Sequence, residues 1–452
     1  MKSEKYDVLI LGAGAAGLAA GRQLAAAGKR VVIVEARDRV GGRIFTVPRP
    51  LGSGAAPIPM ELGAEFIHGL PRSTWDLVHE ARLATDELGG TQWCFDDGLL
   101  HPCGEEHREA FEVLERMPEW LAAQPPGSDA TFAEYLARAG ITTSHAARAA
   151  AYVEGFNAAD RNMIGVAALA RQQRAENDIQ ADRIFRIRTG YSALPQFLAD
   201  QFRLSGGTIL FERPVRAIRW TRGAVSVSGP LGEDQTFELH ADQAVITLPL
   251  GVLQAGAVRF DPQPGDIANQ AARMAMGPVV RQTLLFDSPF WGTANLSFLF
   301  ARQEMLPTWW TAMPESTPMI TSWVAGPKAV ALAGKVKHSE PRALLEEALS
   351  VLARIFGVSS AAIRTRLVSW QTHDWQGDDY SRGAYSYAPS GAADASLRMT
   401  QPVEGTLYFA GEHTDTEGHW GTVHAALSSG QRAAEQLLDT PPRRDAADLR
   451  VR

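Results

Sequence analysis

The sequence predicts an α/β fold, with a parallel sheet flanked by helices and a second unit of mixed α+β character. Two observations predict it. The chain opens on strand, glycine turn, helix and strand, and it closes on a buried strand followed by a helix. Between these ends the pattern shifts to helical text, then to short strands. Both chain ends therefore fall in one discontinuous domain, expected over 1–80, 201–265 and 376–452, with a second domain over 81–200 and 266–375. A chain of 452 residues has room for two such units.

Residues 6–11 form an apolar, β-branched run of strand length, followed by Gly12 to Gly17 and an alanine-rich helix to about Ala27. Gly28 closes that helix as a C′ glycine would. Val31 to Val34 make the next strand, ending at Glu35. The Gly/Pro-rich text from Thr46 to Pro59 reads as loop, and residues 73–200 as mostly helical, broken at Pro125-Pro126-Gly127. Short strands are expected at 208–211, 224–227, 244–247 and within 280–326. A helix is expected from Lys337 to Phe356, a buried strand at 407–410 and a closing helix from Gly421 to Leu438.

The net charge of −7 gives no basic footprint for nucleic acid. No run reaches the ~18 apolar residues of a membrane span. The N-terminus enters a strand directly, which is not the pattern of a signal peptide, and the tail from Arg443 to Arg452 is polar. The two cysteines, Cys94 and Cys103, fit neither CxxC nor zinc spacing, and are read as free thiols of a reducing compartment. A cytoplasmic enzyme is the expectation. Six lysines against 38 arginines indicate genomic bias and not phosphate binding.

Gly12-Ala13-Gly14-Ala15-Ala16-Gly17 is a GxGxxG that follows a strand, opens a helix and precedes an acidic residue, Glu35, at the end of the second strand. Gly12 suits the tight turn, Gly14 the approach of a pyrophosphate, and Gly17 close packing of helix on strand. The helix start at Ala16 adds free N–H groups and positive potential. Glu35 suits ribose hydroxyls, with Ala36 and Arg37 beside it. NAD and FAD both satisfy this much.

The residues after Glu35 narrow the choice. Arg37-Asp38-Arg39-Val40-Gly41-Gly42-Arg43 resembles the glutathione-reductase-like FAD proteins, specifically the flavin-dependent amine oxidases of the monoamine and polyamine oxidase type. The resemblance continues through Glu61-Leu62-Gly63-Ala64-Glu65-Phe66-Ile67-His68-Gly69, Arg213-Pro214-Val215, the stretch 245–253, His373-Asp374-Trp375, the stretch 382–387, and Phe409-Ala410-Gly411-Glu412-His413-Thr414. It implies FAD held by Gly42, Arg43, Gly63, Ala64, Glu65, Val215, Trp375, Gly411, Glu412, Thr422 and Val423, besides the glycine motif. The Val423 N–H, at a helix start, would stabilise negative charge on reduced flavin. It further implies oxidation of a primary or secondary amine by hydride transfer, with O2 or another acceptor reoxidising the flavin. Oxygen as acceptor would give hydrogen peroxide.

Three departures from the family pattern sharpen the expectation. Ala384 stands where monoamine oxidases carry the flavin-bonding cysteine, so non-covalent FAD is expected. The substrate cage expected of two rings has Tyr385 on one side, but Thr422 on the other, with Trp420 two residues earlier. Arg281 stands where the family places a lysine at flavin N5, and no lysine lies between Lys29 and Lys328. Arg281, Tyr385, Trp420 and Thr422 are the catalytic candidates. Arg281 also keeps open an amino-acid oxidase or dehydrogenase, through a bidentate bond to a substrate carboxylate. A flavin-bound protein without catalysis is a third reading. With neither an added N-terminal domain nor a long helical insertion in view, a histone demethylase is not expected.

Weaker signals keep two readings each. Glu61 and Glu65 suit a second cationic group of a polyamine, or simple pairing with arginine. Phe156-Asn157 suit cavity or core. Trp291, Trp309, Trp310 and Trp323 read as core, and Asp96-Asp97 and Glu105-Glu106 as solvated charges. His413, His419 and His424 lack metal-ligand spacing, and no metal is expected.

Overall fold

The computed structural model describes residues 6–50, 56–104, 109–232, 234–293, 295–335 and 341–439. The expected start of a helix at Lys337, the charges Glu105-Glu106, the first five residues and the polar tail lie outside these.

An eight-stranded sheet organises both chain ends. Tyr6–Leu11 pairs in parallel with Val31–Val34 on one side and with Gln235–Ile246 on the other. Thr208–Leu210 extends the sheet beyond Val31–Val34, and Leu407–Phe409 joins in parallel beside Ala244 to Ile246. The inner strands are buried on both faces, as near-continuous Val/Ile/Leu runs require. Ala15–Ala26 and the closing helix Val423–Asp439 cover one face through Leu18, Leu24, Leu427 and Leu437. The antiparallel strands Ala217–Thr221 and Ala224–Leu231 continue the sheet at the other edge. The parallel strands end at Gly12, Glu35, Thr247 and Ala410, so their carboxyl ends open onto one crevice, where an α/β sheet binds its ligand.

A second, seven-stranded sheet runs in the order Leu367–Thr372, Val279–Phe286, Met319–Ala325, Thr308–Thr311, Leu296–Phe300, Thr91–Asp96 and Leu99–Pro102. Helices Gly326–Lys335 and Pro341–Phe356 back it through Leu332, Leu349 and Leu352. Thr143–Phe156 and Val166–Asp178 belong to a separate helical cluster around Phe132, Tyr135 and Val153. Among the described residues no single helix is long and apolar enough to cross a membrane.

Four expectations are corrected. Thr46–Arg49 and Ile58–Glu61 form a two-stranded ribbon, with Thr46 opposite Glu61; the prolines that suggested loop fit a ribbon with free edges. The text at 73–200 is not mostly helical where the strands Thr85–Glu87, Thr91–Asp96, Leu99–Pro102 and Ile184–Ile187 cross it. The cysteines are bonded to each other. Cys94 lies opposite His101, and the Cys103 N–H donates to Gln92 O at 2.9 Å. The hairpin thereby sets the two as diagonal neighbours on one face, 5.0 Å apart at Cα. The free-thiol premise for a reducing compartment falls with that bond. Asp96 is not simply solvated: it stands 3.6 Å from His101 and 3.9 Å from Arg302.

Candidate active site

A cavity of about 940 Å3 starts in the crevice of the parallel sheet and continues between the two sheets. Its size is at the upper end for small-molecule sites, as suits a dinucleotide with room for a second molecule. Its first wall is the glycine turn. A side chain at Gly17 would strike Gly12 O, and one at Gly12 would strike Thr247 Oγ1. A Cβ at Gly14 would meet no protein atom within 4 Å, so its open side faces the cavity at the start of Ala15–Ala26. An anion there meets unpaired N–H groups and the positive helix end.

Glu35 is buried with each carboxylate oxygen taking one backbone donor, Ala13 N–H at 2.7 Å and Arg37 N–H at 2.8 Å. Its remaining lone pairs are available to hydroxyl groups. Ala36 lines the same wall. Arg37 is bound at both terminal nitrogens by Asp378, at 2.9 and 2.7 Å, with Ser381 as a further acceptor. It acts as a strut between the second strand and the segment 375–387. Val215 and Trp375 line the cavity, and the Trp375 indole N–H is fixed on Leu62 O at 2.8 Å.

Glu412 ties three segments together. Arg43 donates to it at 3.0 Å, Ser386 Oγ–H at 2.6 Å and Gly421 N–H at 2.9 Å. Burial works to raise its pKa, but the charges of Arg43 and His413 and the bonds from Ser386 and Arg43 hold it below the usual carboxylate value. Gly411 is anchored by its N–H on Ser429 Oγ. Thr422 is the cap of Val423–Asp439: its hydroxyl accepts from Ala425 N–H at 3.2 Å and donates to His419 O. The uncapped N–H groups of that helix, Val423 included, border the cavity.

Gly63 and Ala64 pass hard against Arg43, whose carbonyl leaves no room for a side chain at Gly63. Arg281 is buried, with 4 % of its surface exposed. It donates to Gly63 O at 2.7 Å and to Glu65 Oε2. Arg186 holds the other oxygen of Glu65 through two bonds, and Trp310 Nε1–H reaches Oε2 at 3.1 Å. Burial would raise Glu65, yet Arg186 and Arg281 keep it below its ordinary range. Two guanidinium groups and one carboxylate leave a net positive charge in this wall. Arg281 Nε has no partner among the described residues. The pairing reading therefore holds for Glu65. Glu61 lies behind the wall, accepting from Thr46 and from Tyr191 N–H.

The far wall is aromatic. Tyr385 and Trp323 lie nearly parallel, 15° apart with centroids at 6.4 Å. Both polar tips are spent on one helix end, Tyr385 O–H on Phe156 O at 2.6 Å and Trp323 N–H on Gly155 O at 3.0 Å. Trp310, Phe66, His68 and Phe156 continue the wall ring to ring. Burial holds His68 neutral, its pKa down at about 4. Of the four tryptophans read as core, Trp309 and Trp291 pack there, but Trp310 and Trp323 line the cavity. Trp420 borders the cavity yet is buried in the core, with its N–H on Ser396 Oγ at 2.8 Å. The ring parallel to Tyr385 is Trp323, not Trp420. Sequence reading missed Trp323, Trp310 and Arg186, because only strand pairing brings them to the wall.

The profile for flavin containing amine oxidoreductases matches residues 15–438. The chain belongs to this family. Among curated relatives, "Lysine-specific histone demethylase 1 homolog 2" of Arabidopsis thaliana is 26% identical over 96% of this chain and 58% of its own length. "Polyamine oxidase 4" of Oryza sativa subsp. japonica is 25% identical over 95% of this chain and 88% of its own. The chain spans little more than half the length of the demethylase relative. Among solved structures, putrescine oxidase bound to putrescine superposes with a TM-score of 0.80 at 20% identity, over 96% of this chain and 99% of that one. Cyclohexylamine oxidase from Brevibacterium oxydans gives 0.77 at 22%, over 96% and 100%. These likenesses carry the expected fold: an FAD-binding unit of Rossmann type with a substrate unit.

The residues present fit an FAD of this family. The Gly14 cradle is open, the two helix ends supply unpaired donors, and Arg281 Nε is an orphaned donor in the wall.

Proposed function

We propose that this chain oxidises a primary or secondary amine with non-covalently bound FAD and passes the electrons to O2, releasing hydrogen peroxide. The observation that carries this reading is the convergence in one cavity of the Gly14 cradle, the fixed charge of Arg281 and the parallel pair Tyr385–Trp323. Non-covalent binding is supported by Ala384 at the expected attachment position and by the bonding of both cysteines to each other, away from it.

Bound FAD would supply the hydride acceptor, which is the cofactor's own chemistry. The chain supplies the surroundings. Gly14 and the start of Ala15–Ala26 would hold its pyrophosphate, and Glu35 its ribose. Tyr385 and Trp323 present fixed π-faces that receive an amine and keep water from it. Desolvation by these rings, with the positive excess of Arg281 and Arg186 over Glu65, favours the neutral amine over the ammonium. Only the neutral form can give up a hydride from its α-carbon. The imine released hydrolyses in water. The amino-acid reading loses its basis, since the two terminal nitrogens of Arg281 are engaged by Gly63 and Glu65 and do not face a substrate carboxylate as a free fork.

Anaerobic mixing of the yellow holoprotein with amines and amino acids, followed by air, tests this. Bleaching by amines with prompt recovery in air is the expected result. Bleaching by amino acids alone, or by nothing, would overturn it. Bleaching with slow recovery would replace O2 by another acceptor.

A further inference from the structure

We infer that Cys94 and Cys103 form a reversible thiol–disulfide couple, closed by hydrogen peroxide, that latches the outer end of the cavity. The inference rests on the amine-oxidase reading for the source of the peroxide, while the couple itself can be tested without it.

One continuous rung crosses six strands of the second sheet. Arg281 lies opposite Trp323, Trp323 opposite Thr308, Thr308 opposite Phe300, Phe300 opposite Cys94, and Cys94 opposite His101. Residues paired across a ladder share a face. The first four line the cavity, so Cys94 stands on the cavity side of the sheet, on the rung that carries Arg281 and Trp323. Gln92, two positions before Cys94 and so on the same face, lines the cavity as well.

The bond fastens more than the hairpin. Through Cys103, the chain that leaves Leu99–Pro102 is tied back to Thr91–Asp96. The next described element, Glu109–Glu115, presents Ala110 and Phe111 to the cavity, and Phe111 packs on Tyr152 with ring centroids 4.9 Å apart. Apart from the ladder, the printed ties of this hairpin are polar and partly exposed. Asp96 stands 3.6 Å from His101 and 3.9 Å from Arg302, and Gln303 donates to Asp97 at 3.2 Å. Such contacts hold weakly. The covalent bond is the firm link between the sheet rung and the helix start beside the cavity.

The two sulfurs differ in access. Cys94 is fully buried and Cys103 is half-buried. Peroxide therefore meets Cys103 first. The Cys103 thiolate attacks one peroxide oxygen, the O–O bond breaks, and a sulfenic acid and hydroxide form. The Cys94 sulfur, with its Cα 5.0 Å from that of Cys103, then displaces the second hydroxide and closes the S–S bond. In sum, two thiols give up two electrons and two protons, and one peroxide becomes two waters. An oxidase with O2 as acceptor releases one peroxide for each amine oxidised, beside this rung. Turnover in air thus keeps its own latch closed.

The test starts from holoenzyme reduced with a phosphine and then freed of it. Hydrogen peroxide added without amine is expected to take the titratable thiols from two per chain to none. It should also slow amide exchange in Thr91–Asp96, Leu99–Pro102 and Glu109–Glu115. Amine with air should do the same, and air alone should not over that time. The amine KM of the reduced enzyme is expected about threefold or more above that of the disulfide form, with little change in kcat, as a loosened cavity edge requires. Cys103→Ser should hold the higher KM with or without reductant. Thiols that survive peroxide, equally fast closure in air alone, or exchange or KM that does not differ between the two forms would overturn the inference. Closure by added peroxide but not by amine in air would defeat the oxidase reading and leave the couple supported.

Discussion

Trp323 stands directly opposite Arg281 in the antiparallel ladder between Met319–Ala325 and Val279–Phe286. One rung of one sheet thus delivers both the charged and an aromatic component of the cavity. The Trp323 ring has its N–H fixed on Gly155 O, and its face is set parallel to Tyr385. Trp323→Leu is expected to raise KM for good amine substrates by roughly tenfold, within the range of an aromatic contact to a cation or ring, with a smaller change in kcat. Trp323→Phe should recover part of that loss. Equal KM values in wild type and Trp323→Leu would remove Trp323 from the substrate wall.

That pairing also shows what the sequence could and could not reveal. The glycine motif, Glu35 and the first two strands were legible because their chemistry is local: strand, turn and helix are contiguous. Tyr385 was legible by resemblance. Trp323 was not, because its place depends on strand register across more than forty residues, and tryptophans in strands usually fill cores. Arg186 was hidden for a related reason. It lies on Ile184–Ile187, a four-residue strand in text with helical period, and becomes a partner of Glu65 only when that strand pairs with Phe66–His68. The cysteine bond was missed because a spacing of nine says nothing until a hairpin folds it.

Gly14 permits a clean test of the cofactor cradle. Its backbone is in an ordinary extended conformation, φ −76° and ψ 179°, and an added Cβ meets no protein atom within 4 Å. Gly14→Leu should therefore fold, while its side chain fills the space for the pyrophosphate. We expect flavin content at purification to drop by at least about tenfold with little change in far-UV circular dichroism. A yellow Gly14→Leu protein with normal flavin content would place the dinucleotide elsewhere.

Glu65 is the only carboxylate bonded to both Arg186 and Arg281 among the described residues. Removing it leaves two buried or half-buried guanidinium groups without countercharge. Glu65→Gln is expected to cost about 3–5 kcal/mol, the usual penalty for breaking a buried ion pair from one side. Denaturant midpoints of the variant and wild type, compared at equal flavin occupancy, measure it. A loss below about 1 kcal/mol would mean that solvent or a repacked side chain replaces the carboxylate.

Glu61 makes stability depend on pH in a direction opposite to that of an ion-paired carboxylate. It is buried at the ribbon Thr46–Arg49/Ile58–Glu61 and accepts from the Thr46 hydroxyl and Tyr191 N–H. Burial raises its pKa from 4.5 to about 7, these donors and Arg281 opposing the rise and the charge of Glu65 adding to it. Between those two values the folded protein keeps a proton that the unfolded chain has released. The unfolded state then binds fewer protons, so stability falls as pH rises. The contribution of Glu61 is at its full value below about 4.5 and is lost by the time pH passes about 7. Glu61→Gln keeps a neutral side chain at every pH and cannot show this loss. The melting temperature of wild type, measured relative to Glu61→Gln, should therefore decline steadily from about pH 5 to about pH 8 and level off above. Parallel melting curves for the two proteins across that range would show that Glu61 is ionised in the fold throughout.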